Sequence, residues 1–339
     1  MAVPPLLELD RLSTHYVSAQ GLRVVRAVDA VSLAVDAGDT LGIVGESGSG
    51  KTTLALSLLR VLPPAARIVG GRILFDGEDL VPKTEAEMQE FRGKKIAMIL
   101  QDPMASLNPL FTVGNQVAEP IRVHERANRR TARQRARELL QAVRIPSPEV
   151  RLKQYPHELS GGMRQRIVGA IGISCAPRLL IADEPTTSLD LTIQAQYLNL
   201  LGELQRAHGL ALIFITHNLG IVAKMCDRLA VMYAGRVVEC GPVGRLFSAP
   251  AHPYTRALLN AIPRMADPDR RLTAIDGQPP DLAALPPGCA FAPRCPQAVA
   301  RCREAAPPPV APAPGHLARC WLAGPAAVGA DQRVAGGAA

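Results

Sequence analysis

The stretch TLGIVGESGSGKTTLALSLL, Thr40–Leu59, decides the fold. Its opening TLGIVG is apolar on both faces, so it reads as a buried strand. That strand runs straight into GESGSGKTT, which starts at Gly45 and matches G-x-x-x-x-G-K-[ST]. TTLALSLLRVL follows with helical apolar spacing, and Pro63-Pro64 stops it. Gly45, Gly48 and Gly50 let the backbone curl so that its N–H groups face a phosphate, and the helix beginning near Lys51 adds its positive dipole end. Lys51 is expected to reach the β- and γ-phosphates and Thr52 to bind Mg²⁺, with Glu46, Ser47, Ser49 and Thr53 completing the cradle. An ordinary glycine turn before a helix is the competing reading. The strand before and the helix after argue against it.

Working outward, Leu6 to Val35 alternates apolar and polar residues, as in VSLAV, and predicts an antiparallel β-region. GGRILFDGEDL, from Gly70, predicts another hairpin. Residues 84–176 are mostly helical in pattern, with loops around Pro103 and Pro109. RLLIAD and ALIFIT read as buried strands, and RLAVMYAGRVVECG as two short strands joined at Ala234-Gly235. Such strands, separated by helices, imply a parallel sheet covered on both sides. After about Ser248 prolines become dense. AAPPPVAPAPG, 305–315, is expected to hold no regular structure, and the Ala/Gly-rich tail 324–339 is expected to be disordered.

The length of 339 residues suggests two domains, and 47% apolar residues with only 4% aromatics imply a core of Leu, Val, Ile and Ala. MAVPPLLELD does not read as a signal peptide, and no window reaches the roughly 18 apolar residues of a membrane span. The expectation is a soluble or peripheral protein. A net charge of +8 fits nucleic acid, an anionic membrane face or a phosphate ligand without choosing among them. RRTARQRAR, Arg129–Arg137, reads as a solvated basic face.

Two further motifs carry chemistry. In RLLIADEP, Asp183 ends an apolar strand and can hold Mg²⁺ through water, and Glu184 can orient or deprotonate an attacking water. In HELSGGMRQR, Ser160 can cap a helix while Gly161 and Gly162 leave its first N–H groups bare, a second anion site.

LSGGM, placed after the phosphate loop and before LLIADEP, resembles the signature of the ATPase subunits of ABC transporters. Gln101 in MILQDP matches that family's Q-loop and its metal contact, Ser188–Asp190 its D-loop, His217 in FITHN its switch histidine, and Tyr16 its adenine-stacking aromatic. The resemblance implies an α/β fold: an ABC-type P-loop ATPase with a RecA-like core sheet, an antiparallel β subdomain and a helical subdomain at about 102–176, together spanning 1–248. It also implies ATP and Mg²⁺ as ligands, with Lys51, Gln101, Glu184 and His217 serving hydrolysis. Two chains would sandwich two ATP molecules, with Ser160, Gly161, Gly162 and Asp190 facing the nucleotide of the partner.

QDPMASLNPLFTVGNQVAEPI, ADEPTTSLDLTIQAQ and APAHPYTRALLNAIP extend the resemblance to dipeptide and oligopeptide importers, and within them to the dipeptide-permease D type. Such subunits pair with a homologous ATPase subunit beneath two membrane permease subunits, at the cytoplasmic face of the bacterial inner membrane, and a substrate-binding protein delivers the peptide. Related importers carry nickel chelates, glutathione or haem. A soluble ABC ATPase acting on nucleic acid is the reading from another class, and the chain lacks the second ATPase half or coiled coil it would call for.

The resemblance also covers 249–323, a small irregular C-terminal module, where Cys289, Cys295, Cys302 and Cys320 resemble a set that holds a [4Fe–4S] cluster. Four thiolates suit such a cluster. The gaps of five, six and seventeen residues lack the tight pairs usual for Zn²⁺, which stands second, ahead of free thiols.

Overall fold

The computed structural model describes residues 4–187, 189–262 and 274–324. The expected tail from 325 on and Ser188 of the D-loop lie outside the described residues. In chain order the strands are β1 (Leu7–Val17), β2 (Val24–Val35), β3 (Thr40–Val44), β4 (Ala66–Phe75), β5 (Glu78–Asp79), β6 (Ile96–Ile99), β7 (Leu179–Asp183), β8 (Ala211–Ile215), β9 (Arg228–Tyr233), β10 (Arg236–Pro242), β11 (Val310–Ala313) and β12 (His316–Ala318). Two compact units divide the chain, Met1–Pro82 with Thr216–Ala339, and Lys83–Ile215.

The first unit contains a four-stranded antiparallel sheet ordered β2-β1-β4-β5. Alternation along β1 buries Leu7, Leu9 and Leu12 on one face. Asp76 and Gly77 close the β4–β5 hairpin with φ of 53° and 79°, the left-handed pair that a two-residue hairpin turn needs. The same unit holds the strand order β11-β12-β10-β9-β3. Every residue of β3 is buried, and β3 runs parallel to β9. Ala234 and Gly235, at φ of 48° and 79°, then turn β9 back into antiparallel β10.

Two expectations are corrected here. AAPPPVAPAPG contains a strand: β11 pairs antiparallel with β12 through Val310–Ala318 and Ala313–His316. It lies at the end of the strand order, and an edge strand tolerates proline because only one of its sides must donate to a ladder. The second correction falls in the other unit. Within the stretch read as helical, Ile96–Ile99 forms β6, parallel to β7, which is in turn parallel to β8. A four-residue apolar run is too short for its period to tell strand from helix.

Helices Val113–Glu125, Arg129–Ala142 and Gly161–Ile173 fill much of the second unit. Ala132, Ala136 and Leu140 are buried on one stripe of the second helix, and the arginines occupy its other side. Arg135 pairs with Glu125 and Arg137 with Glu149, so part of the basic segment is neutralised within the unit.

Beyond β10, in the first unit, the helix Pro253–Asn260 and the segment 274–324 pack on an aromatic cluster. Tyr233 meets Tyr254 at 4.6 Å between ring centroids, and Phe291 meets each of them at 5.3 Å. The buried carboxylate of Glu239, on β10, accepts hydrogen bonds from the N–H groups of Ala251 (2.6 Å) and His252 (3.0 Å) and lies 2.7 Å from His316 Nε2. One buried acid therefore ties the C-terminal segment to the sheet.

Candidate functional site

In the first unit β3 delivers the chain into the glycine loop, and Gly50 caps the helix Lys51–Leu59 at φ 101°. A Cβ at Gly50 would lie 2.0 Å from the Ala27 carbonyl oxygen, and one at Gly45 would lie 2.2 Å from that of Met232. Only glycine fits either place. Lys51 Nζ donates to the carbonyls of Gly45 (2.8 Å) and Glu46 (3.0 Å), with Ser49 Oγ at 3.4 Å. Ser49 N–H donates to the Glu46 carbonyl, and Ser49 in turn accepts from Gly235 N–H at 3.0 Å. Ser47, Gly48 and Thr52 are exposed at the loop, where a phosphate and its metal ion would sit. The loop backbone, Lys51 and the helix start fit such a group. The Tyr16 hydroxyl lies 3.3 Å from Thr53 Oγ1, so the expected aromatic stands beside the end of this loop. His217 is exposed just past the buried Thr216, whose Oγ1 accepts from Asn218 N–H at 3.0 Å.

The second unit brings other expected residues together. Asp183 is buried at the end of β7. Glu184 follows at φ 46°, a left-handed conformation rare outside glycine, with its N–H donating to the Ile215 carbonyl at 2.9 Å. Its carboxylate accepts from Gln101 Nε2 at 3.2 Å and from Thr187 Oγ1 at 3.0 Å. Thr187 is a partner that the motif reading missed. Ser160 caps the helix Gly161–Ile173, its side chain accepting from Met163 N–H at 3.4 Å. Gly161 has open space around it, whereas a Cβ at Gly162 would lie 2.8 Å from Ile193 Cγ2. Asp190 caps the helix Leu191–His208 by accepting from Ile193 N–H at 3.0 Å.

The cysteine expectation is corrected. Cys289, Cys295, Cys302 and Cys320 do line one cavity of the first unit, with Phe291 and Trp321. Yet among the described residues no three His, Cys, Asp or Glu side chains are placed to hold one metal ion. Neither the iron–sulfur cluster nor its zinc alternative is supported. The convergence itself follows from packing: Cys302 and Cys320 are buried side chains, and Cys289 N–H donates to the Cys302 carbonyl at 2.8 Å.

Comparison with known proteins bears on both units. A family model described as ABC transporter matches residues 28–187, and one described as oligopeptide/dipeptide transporter, C-terminal region, matches 238–302. A protein of Sinorhizobium fredii named "Probable peptide ABC transporter ATP-binding protein y4tR" is 51% identical over 318 residues, covering 93% of this chain and 94% of its own. The chain belongs to the ABC transporter ATP-binding proteins. The dipeptide transport ATP-binding protein DppD of Escherichia coli is 47% identical over 315 residues, 93% of this chain and 96% of that one. A dimeric ATP-binding cassette, solved in a post-hydrolysis state bound to ADP and Pi, superposes with a TM-score of 0.63 at 25% identity over 70% of this chain and 98% of its own. As a member of this family the chain is a transport ATPase. Among the described residues no helix is long and apolar enough to cross a membrane.

Proposed function

We propose that the chain powers the import of dipeptides or oligopeptides by hydrolysing ATP. The observation that carries this reading is the extent of the likeness. Identity of 46–51% with peptide and dipeptide transport proteins runs over more than nine-tenths of the chain, and the match to the oligopeptide/dipeptide C-terminal family lies outside the general ATPase region.

Roles are assigned by chemistry. The N–H groups of Gly45–Thr53 and the ammonium of Lys51 take the phosphates, with Tyr16 beside the adenine. When bound, Mg²⁺ supplies charge neutralisation at the β- and γ-phosphates, and Thr52, Gln101 and Asp183 are the residues to hold it. Glu184 orients and deprotonates the attacking water. Gln101 and Thr187, both bonded to its carboxylate, keep it aimed. His217 is the group that contacts the γ-phosphate as the water attacks. Ser160, Gly161, Gly162 and Asp190 are exposed or half-buried and face the nucleotide of a homologous ATPase subunit across a dimer.

Two membrane permease subunits complete the machine at the cytoplasmic face of the bacterial inner membrane, with a substrate-binding protein beyond them. Leu110 and Phe111, adjacent in sequence, are 79% and 53% exposed in the second unit, apolar side chains suited to covering by such a partner. Proteoliposomes carrying the assembled transporter test this reading. Phosphate release should rise when the binding protein is loaded with di- or oligopeptide. A rise with a nickel chelate, glutathione or haem instead, and none with peptide, would overturn the substrate assignment.

A further inference from the structure

Glu46 is the second residue of the phosphate loop, yet its carboxylate is bonded by a residue far along the chain. It accepts both ends of the Arg294 guanidinium, Nη1 at 2.7 Å and Nη2 at 3.0 Å. Arg294 lies 248 residues further on, next to Cys295, in the family-specific C-terminal region. Its side chain is only 4% exposed. Its other donors are satisfied by the carbonyls of Asp276 (2.9 Å) and Ile275 (3.1 Å) and by the Tyr233 hydroxyl (3.3 Å). The backbone N–H of Glu46 is held from the same region, donating to the Tyr254 hydroxyl at 3.0 Å. Burial pushes that hydroxyl up, so it stays neutral.

Four ties therefore fix residue 46: Arg294 on the carboxylate, Tyr254 on the N–H, and Lys51 and the Ser49 N–H on the carbonyl. The Lys51 tie is the one a ligand competes for. A phosphate draws on the same three donors of the ammonium that serve the Gly45 and Glu46 carbonyls, and the loop must keep its shape as that tie weakens. Besides the local Ser49 bond, the ties that hold residue 46 from outside the loop are then the two from the C-terminal region. Charge acts in the same direction. A carboxylate in a loop that receives a polyanion opposes binding unless a cation neutralises it, and a bidentate guanidinium whose side chain is buried does so with little salt screening.

We propose that Arg294, assisted by Tyr254, is a positioning residue for ATP. Through Glu46 it holds the phosphate loop in its binding form and cancels the loop's own negative charge, which couples the cysteine-bearing C-terminal segment to nucleotide occupancy. The inference rests on the reading that Gly45–Thr53 binds ATP. By linkage, if the segment tightens nucleotide binding, nucleotide must steady the segment by the same factor.

The test uses the full-length chain. Equilibrium affinity for MgATP is measured for wild type, R294Q, R294K, E46Q and E46Q/R294Q, and peptide-resolved hydrogen exchange over 289–302 is followed with and without MgATP. R294Q should weaken binding about tenfold, within the range usual for coupled sites. R294K, which keeps the charge but loses the fork, should fall between R294Q and wild type. The double variant should bind no worse than the weaker single one, because both changes break one bond. In wild type, MgATP should slow exchange over 289–302, and R294Q should lose that protection. Additive losses, R294Q affinity within twofold of wild type, or unchanged exchange over 289–302 in a wild type that binds MgATP would each overturn the inference. Should R294Q fail to fold, R294K and the wild-type exchange decide. A wild type that does not bind MgATP at all would refute the loop reading itself, an outcome distinct from these.

Discussion

Glu184 combines two properties that rarely meet in one residue. Its backbone sits at φ 46°, and its side chain carries the charge on which the proposed hydrolysis depends. Such a conformation costs on the order of 1–3 kcal/mol and persists where the surroundings enforce it. Here the Ile215 carbonyl holds the N–H while Gln101 and Thr187 hold the carboxylate. Glu184→Gln keeps the shape and removes the base. The variant should bind MgATP as wild type does while phosphate release falls by about a hundredfold or more. Turnover near wild type would remove Glu184 from the role. Lys51 presents the complementary case, since its ammonium already occupies the cradle by bonding the loop carbonyls. Lys51→Ala should weaken MgATP binding at least about tenfold in a nucleotide titration, the loss expected for a charged hydrogen bond to phosphate.

Among the elements, helix starts do most of the positioning. Gly50, Ser160 and Asp190 each stand at an N-cap, where up to four N–H groups lack partners within the helix. At Gly50 no side chain caps the helix, which suits its start to an anion. At Asp190 the carboxylate already serves Ile193 N–H, and the helix Leu191–His208 gains stability from it. Asp190→Ala should therefore destabilise the chain by about 1 kcal/mol in thermal or urea unfolding, and Asp190→Asn should recover most of that. Equal stability of wild type and the alanine variant would leave Asp190 no capping function. Edge placement explains a second element. β11 carries proline and still pairs, because β12 covers one of its sides and, among the described residues, no strand lies on the other.

At the scale of the whole molecule, buried polar groups decide how the C-terminal segment joins the ATPase sheet. Burial, opposed by the charge of Glu239, lowers the His252 pKa to about 4, so the folded state keeps this imidazole neutral. The unfolded chain takes up a proton near pH 6.5 and the folded one does not, so stability falls as pH drops from about 6.5 towards 4, by on the order of 3 kcal/mol in all. Burial works against ionisation of Glu239, yet hydrogen bonds from His316, Thr255 and the backbone outweigh it and lower its pKa. Its contribution is present above the ordinary carboxylate range and lost as pH falls through its depressed value, which is the same direction. Denaturant midpoints measured from pH 7.5 to pH 4.5 should decline steadily. In His252→Gln, which cannot titrate, the decline between pH 6.5 and 5 should be shallower, and an unchanged slope would exclude His252 as its source. Glu239→Gln should cost about 3 kcal/mol at neutral pH, because removing one member of a buried charged network leaves the others without their partner.

The sequence by itself determined the strand, loop and helix over Thr40–Leu59, the hairpin turns at Asp76-Gly77 and Ala234-Gly235, and the apolar strand that ends in Asp183. Each of these is set by residues a few positions apart, through periodicity, left-handed turn residues and glycine placement. The tertiary structure decided the rest. β6 is a strand because β7 pairs with it, and β11 because β12 does, although local pattern gave no sign of either. Four cysteines, the right number for a cluster, converge on one cavity without the placement a metal ion requires, since number and order along a chain fix neither distance nor direction in space. The Glu46–Arg294 pair joins residues 248 positions apart, and no local preference can encode such a contact. It exists because the core formed by Tyr233, Tyr254 and Phe291 carries Arg294 to the phosphate loop.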